Sequence, residues 1–381
     1  MVTTMGEEGL GEERSLLVLI LDITPSAWGE RAMLSDSINP KRLAAGKPSV
    51  GPAKLVDDLL GSVVTFLSAH VALNRDNGVI VIGVAGPSHV GVLYPRKTDF
   101  GSLLQYSASH SGGNKVDLHA LQQGLKLGVA ELVGRCYGQN NSGGPASIAS
   151  AMSLALCLFN RFIVASGNAA TGISALANSK ASNNRIGGDE GILSLLNGKN
   201  KKEKTNHKKF FSSRMLVIQA SEDKIQDYNA IMNCVFAANR ANVIIDGCFV
   251  AKSSNDTSPF LEQACDRTGG IFIKPTGRSQ VGGALTQVLM TVFLPPNLLR
   301  DKLNLPVIDK VDFRARCFET GESVDIAYVC NQCLSIFKHA PKDKCHTCLA
   351  KVMTGASSSD IATDLPPLDE PNHNNKRQKI D

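Results

Sequence analysis

The sequence contains no run of 18 or more apolar residues, so nothing in it reads as a membrane span. It also lacks the G-x-x-x-x-G-K-[ST] phosphate cradle, the G-x-S-x-G nucleophile elbow and the H-E-x-x-H metal helix. The glycine-rich Ser111-Gly112-Gly113-Asn114 supplies none of these. Those absences remove the usual nucleotide-hydrolysing, esterase and zinc-protease readings. Eight histidines are thinly spread, and His110 and His119 read as surface or helix residues rather than parts of a nucleophile set. The start does not read as a secretory signal: Leu16–Leu21 is only strand length and follows Glu7, Glu8, Glu12 and Glu13. A net charge of +5 is too mild to announce nucleic acid by itself.

What is present is a chain of 381 residues, a length that suggests two to three units at roughly 150 residues each, and 43% hydrophobic, enough for at least one sizeable core. Apolar strand-like runs alternate with helical periodicity. Ser15–Leu21 has the continuous apolar pattern of a strand buried on both faces, as do Gly78–Gly83 and shorter runs at Met215–Ile218, Val243–Ile245 and Ile271–Ile273. Val90–Tyr94 reads as a short neighbouring strand. Between them, helices are expected from Pro52 onward, over Val116–Leu132 and Ala146–Val164, and around Ile225–Phe236. Another opens at Ser258-Pro259, with Ser258 as its cap, and stops at Gly269-Gly270; a last one covers Val281–Phe293. Residues 35–50 read as a loop. This alternation predicts an α/β fold, a doubly wound and mostly parallel sheet with helices on both faces. It should occupy residues 15–294 after a flexible start over 1–14. A low-complexity insertion, 166–212, interrupts it, with Lys199, Lys201, Lys202, Lys204, Lys208 and Lys209 in its second half. A linker over 295–311, a small module over 312–353 and a polar tail over 354–381 complete the layout. No internal repeat is evident in the sequence.

The module carries the strongest chemical signal. Cys330-Asn331-Gln332-Cys333 and Cys345-His346-Thr347-Cys348 are two C-x-x-C knuckles separated by eleven residues. Two such turns aim four sulfurs at one point, which suits tetrahedral Zn(II) and leaves no open position for chemistry. One structural zinc is therefore expected on Cys330, Cys333, Cys345 and Cys348. His339 and His346 are substitute ligands by type, and Cys317 reads as a small apolar residue. With Cys136, Cys157, Cys234, Cys248 and Cys265 scattered through apolar runs, the chain reads as a reducing-compartment protein.

Asp22-Ile23-Thr24-Pro25-Ser26 has the form D-x-T-x-S at the end of the first strand, close to the D-x-S-x-S metal motif of von Willebrand factor A-type domains. Ligands bind at that edge of a parallel sheet, and oxygens at alternate positions suit a hard cation such as Mg(II). The companion loops are poor in the expected ligands. Asn114-Lys115-Val116-Asp117 has no threonine, and Gln219-Ala220-Ser221-Glu222-Asp223 lacks the usual Asp-Gly. Asp22, Thr24 and Ser26 therefore read as a vestigial cation site without Mg(II), in which Asp22 and Thr24 hydrogen-bond the loop backbone.

Leu16–Trp28, Phe260–Gly270, Phe293–Pro296 and Val311–Cys348, with its Tyr328–Phe337 core, resemble one family closely. It is the smaller of the two von Willebrand A-type, zinc-binding subunits of the general transcription and DNA repair factor TFIIH. The resemblance implies a von Willebrand A-like domain followed by a C4 zinc module. It implies a nuclear, non-catalytic core subunit that pairs with the larger von Willebrand A and zinc-binding subunit and other core subunits. Support for promoter opening and nucleotide excision repair follows from it, with DNA contact indirect or weak. Lys376-Arg377-Gln378-Lys379 is a short basic cluster of the nuclear-import kind. Two rivals stand beside this. One is a zinc-ribbon nucleic-acid binder using Arg314, Arg316, Lys338, Lys342 and Lys344 with Phe313, Phe318, Tyr328 and Phe337. The other is an Mg(II)-dependent adhesion-type or hydrolytic protein built on Asp22.

Overall fold

A computed structural model describes residues 14–38, 51–74, 77–96, 118–138, 144–165, 211–253, 256–275, 282–300, 302–306 and 311–351. The chain forms two compact units that divide between Phe313 and Arg314.

The first unit is built on β1 (Arg14–Asp22), whose six consecutive apolar residues Leu16–Leu21 are all at 1% exposure or less. A strand can bury both faces only when each is covered, and its register explains how. β1 pairs in parallel with β2 (Gly78–Val84) on one side and β4 (Phe211–Gln219) on the other. β5 (Val243–Phe249) and the short β6 (Phe272–Ile273) continue the parallel array beyond β4, and β3 (Val90–Tyr94) closes the opposite edge antiparallel. The order is β3-β2-β1-β4-β5-β6. Alternate side chains of β1 enter two separate cores. Leu17, Leu19 and Leu21 meet α1 (Pro25–Ile38), α2 (Pro52–Leu73), α3 (Leu118–Gly138) and α7 (Gly283–Val288). Leu16, Val18 and Ile20 meet α4 (Ile148–Ala165), α5 (Tyr228–Arg240) and α6 (Pro259–Thr268). The expected mostly parallel α/β sheet with helices on both faces is the architecture found.

Several boundaries differ from the sequence pattern for identifiable reasons. α1 runs through Ile38 into the stretch read as loop; proline at its first position, with Ala27, Trp28 and Ala32 buried, sets it up. β5 extends four residues past Ile245 because Asp246, which breaks the apolar run, is buried in a two-point pair with Arg300 at 2.8 and 2.6 Å. The last helix of the domain changes at Leu289 into a π-helical turn through Phe293. α2 is long and apolar enough by composition to cross a bilayer, yet Leu55, Leu59, Leu60, Val63, Phe66 and Leu67 are buried in the core. α6 stops where expected: Gly269 takes φ 70°, and a Cβ on Gly270 would meet the Ile245 carbonyl oxygen at 1.9 Å. Ser258 precedes α6 but its side chain does not cap it; the Asp223 carboxylate takes the Phe260 N–H at 2.9 Å instead.

The segment 295–311, which reads as a linker, is partly folded onto the first unit. Arg214 donates to the carbonyls of Phe293 and Pro295, both at 3.0 Å, and α8 (Asn297–Arg300) presents Arg300 to Asp246. Leu305 packs on the core. Asp312 accepts from Gln263 at 2.5 Å and the Phe313 ring lies under Arg267 at 4.6 Å, so the small module begins two residues later than 312. Phe211 and Ser212, assigned by pattern to the 166–212 insertion, open β4; residues 166–210 lie outside the described residues, as does the tail over 354–381.

The second unit is a set of two-residue ladders: β7 (Ala315–Arg316) with β8 (Ser323–Val324), and β9 (Tyr328–Val329) with β10 (Ile336–Phe337). A single bridge, Lys344 to Lys351, follows.

Candidate metal centre

Each knuckle is a tight turn at the tip of one of these ladders. Cys330 N–H donates to the Ser335 carbonyl at 2.9 Å, and Leu334 N–H returns to the Cys330 carbonyl at 2.9 Å. Cys345 and Ala350 repeat this at 2.8 Å, with Leu349 returning to Cys345 at 2.9 Å. The sulfurs of Cys330, Cys333, Cys345 and Cys348 all lie within 4.8 Å of one another. Across the site, Cys330 and Cys348 are 3.8 Å apart and Cys333 and Cys345 3.6 Å. Four sulfurs at about 2.3 Å from a central zinc in a tetrahedron stand about 3.8 Å from each other, whereas a disulfide is about 2.05 Å. The residues therefore fit zinc, and all four thiols are free.

Electrostatics favours the same conclusion. The Ser335 hydroxyl, together with backbone and neighbouring-thiol contacts, draws Cys333 down to about 6 against the burial that opposes it. Cys348 moves the other way, to about 12: the Ala350 N–H draws it down, but burial and the surrounding thiols outweigh that contact. Four thiolates this close together repel one another, and a cation among them would offset that repulsion. The histidines do not compete. His346 Nδ1 faces Glu319 at 3.3 Å and its ring lies edge-on to Phe337, while His339 stands outside the sulfur cluster. Among the described residues this cluster is the only group of three or more metal-ligating side chains.

The Asp22 loop is organised differently. Asp22 is fully buried, and its Oδ1 accepts the Thr24 N–H at 3.0 Å and the Thr24 hydroxyl at 2.6 Å. Its Oδ2 accepts Ala220 N–H at 3.0 Å, Ser221 N–H at 2.6 Å and the Ser221 hydroxyl at 2.6 Å. Thr24 Oγ1 in turn accepts the Gly86 N–H at 3.0 Å. Asp22 and Thr24 thus come together as loop-pinning groups, with five protein donors on one carboxylate. Ser26 is exposed on the first turn of α1 and lines a cleft of about 450 Å³. Of the later acids, Glu222 pairs with Lys252 at 2.6 Å, and Asp223 accepts from Gln219 and Ser258 besides Phe260. The Asn114–Asp117 loop lies outside the described residues.

Sequence reasoning missed Arg31. Its buried guanidinium donates to the carbonyls of Ala27, Ala220 and Val250 and lies 5.4 Å from the Trp28 ring. Burial lowers its pKa while the Asp22 charge opposes the shift, so a fixed internal cation faces the aspartate. The one sequence cue is a cation four residues after Ala27, on the first helix following the motif.

A family model described as transcription factor Tfb4 matches residues 14–349. The chain belongs to the Tfb4 family. Several curated Tfb4 relatives span about nine-tenths of the chain. A Schizosaccharomyces pombe protein named general transcription and DNA repair factor IIH subunit tfb4 is 26% identical over 359 residues, covering 93% of this chain and 95% of its own. A Debaryomyces hansenii protein of the same name is 28% identical, covering 89% of this chain and 85% of its own. The Dictyostelium discoideum general transcription factor IIH subunit 3 is 40% identical over 138 residues, 36% of this chain and 35% of its own. Among solved structures, the TFIIH p34 N-terminal domain aligns over 74% of this chain and 99% of its own, at 20% identity and a TM-score of 0.48. The Tfb4 match includes all four knuckle cysteines and the Asp22 loop.

Proposed function

We propose that this chain is a non-catalytic structural subunit of the TFIIH core, acting through protein–protein contacts in RNA polymerase II transcription initiation and nucleotide excision repair. The observation that carries the non-catalytic part is the Asp22 carboxylate, whose lone pairs are taken by five protein donors. A cation arriving there would have to displace the backbone amides that hold two loops. The names of the Tfb4 relatives support the assignment to TFIIH. By the sequence resemblance, the partner is the larger von Willebrand A and zinc-binding subunit, and the place of action is the nucleus. One structural zinc on Cys330, Cys333, Cys345 and Cys348 holds the module, with no role in chemistry. The nucleic-acid reading ranks second because Phe337 and Phe318 are buried and Arg267 already stacks on the exposed Phe313 ring, which leaves Tyr328 as the exposed ring of that set with no cation over it.

Co-expression of the full chain with the larger subunit tests this reading. The two should co-purify and the soluble yield should rise, because a partner that binds only the folded state stabilises it by mass action. Asp22→Ala should loosen the loop yet retain the partner, and removing Mg(II) at chelator levels that spare zinc should change nothing. Loss of binding on Mg(II) removal, restored by adding it back, would establish the adhesion-type alternative. Failure to co-purify, together with tight salt-sensitive DNA binding, would establish the nucleic-acid one.

A further inference from the structure

The turn that defines each zinc knuckle occurs a third time, at Cys317. Cys317 N–H donates to the Glu322 carbonyl at 2.9 Å, and Gly321 N–H returns to the Cys317 carbonyl at 2.8 Å. Those are the bonds made by Cys330 with Ser335 and Leu334, and by Cys345 with Ala350 and Leu349. The residue four places after each cysteine is left-handed in all three: Gly321 at φ 75°, Leu334 at 59° and Leu349 at 60°. The ladder pair that closes each turn also repeats, as Arg316 with Ser323, Val329 with Ile336 and Lys344 with Lys351. The module is therefore an internal threefold repeat of one hairpin. The spacing between the leading cysteines is unequal and the second cysteine is absent from the first copy, which is why the sequence alone shows no repeat.

In that first copy Thr320 stands where Cys333 and Cys348 stand in the others. Cys317 is buried and its sulfur accepts the Lys338 N–H at 3.3 Å. Burial opposes charge on this thiol, but the Thr320 hydroxyl and the N–H groups of Thr320, Lys338 and Glu319 outweigh it and draw its pKa down. Lys338 follows β10 in the second hairpin, so this contact joins the first copy to the second. Phe318 N–H to the Ile336 carbonyl at 2.7 Å is a second tie between the same two hairpins. Cys317 is thus buried as a small residue, and its sulfur also ties the first hairpin to the second.

We propose that the first hairpin is a third metal-type knuckle in which N–H and hydroxyl donors surround the Cys317 sulfur in place of a cation, making it a latent metal half-site that one residue, Thr320, keeps incomplete. This rests on the reading that the other two knuckles share a zinc. Replacing the hydroxyl beside Cys317 with a sulfur recreates the two-thiolate turn, which suits a soft divalent ion.

The test uses the full chain loaded with cadmium, read as ions per chain and by amide hydrogen exchange. The unaltered chain should hold one ion and Thr320→Cys two. Cys317→Ser should still hold one, while the amides of Glu319, Thr320 and Lys338, which face the sulfur, exchange at least ten-fold faster. A Thr320→Cys chain that stays at one ion would overturn the latent site. Unchanged exchange in Cys317→Ser, or loss of its metal, would overturn the role given to Cys317. An unaltered chain with no ion would instead overturn the zinc reading, and the exchange comparison would still decide the role of Cys317.

Discussion

In the α/β unit the central strand buries six consecutive side chains to 1% exposure or less, whereas in the small module Ile326, Tyr328, Val329, Leu334 and Leu349 are each more than half exposed. The first unit stacks helices on both faces of a sheet, and its interior is apolar surface removed from water at roughly 25 cal/mol per Å². The second keeps only a few large groups inside, chiefly Phe318, Val324 and Phe337 around Cys317, Cys330 and Cys345. Its ladders are two residues long, far below what an isolated sheet needs to stand alone. Cohesion resides in side-chain burial for one unit, and in hydrogen-bonded turns around four clustered sulfurs for the other.

Removing one sulfur is the largest break available to that contrast. Cys345→Ser should release the metal and unfold residues 314–351, because binding and folding of a structural zinc module are one free energy, about 10–16 kcal/mol. The α/β unit should melt as before. Elemental analysis and hydrogen exchange on the full chain check both halves. A module that stays protected without metal would mean its small core suffices, and the contrast would fail.

The contrast also marks what the sequence discloses. The buried strands and the order of helices were legible because burial on both faces of a parallel sheet leaves long apolar runs, as in Leu16–Leu21. The doubled C-x-x-C spacing disclosed the four-sulfur cluster for an equally local reason. What stayed hidden depends on partners distant in sequence. Asp246 looked like a break in β5 because Arg300, 54 residues on, supplies its counter-charge. Asp223 caps α6 from 37 residues away, so Ser258 was credited with the role by proximity. Arg31 reaches carbonyls at 220 and 250, which no local pattern announces.

A medium effect should come from His70, which sharpens the account of the apolar unit. It is 1% exposed on α2, and its ring nitrogens have no hydrogen-bond partner among the described residues. Burial, reinforced by the Arg214 cation, drives its pKa down to about 3. The unfolded chain binds a proton there near 6.5 while the folded one does not, so stability is lost as pH falls below about 6.5. The loss is about 1.4 kcal/mol per pH unit, hence about 2 kcal/mol by pH 5, and it saturates below about 3. Urea unfolding of the α/β unit at pH 7 and pH 5 should show His70→Gln losing about 2 kcal/mol less than the unaltered chain over that interval. Equal losses in the two proteins would show that the ring is solvated or paired in the folded state.

The smallest effect is also the one that asks why the module exposes what the domain hides. Leu334 adopts a left-handed backbone at φ 59° with its side chain 63% exposed. Such a conformation costs a non-glycine residue roughly 1–2 kcal/mol, and glycine, which stands at the matching place in the Cys317 turn, adopts it freely. Little buried area is lost by shortening an exposed side chain, and the entropy glycine gives up on folding offsets part of the gain. Leu334→Gly should therefore stabilise the module by about 0.5–1 kcal/mol, seen as a two- to five-fold higher chelator concentration needed to strip the metal. A variant that loses metal more easily than the unaltered chain would show that Leu334 is packed within the module, and the division between a buried unit and an exposed one would have to be redrawn at that residue.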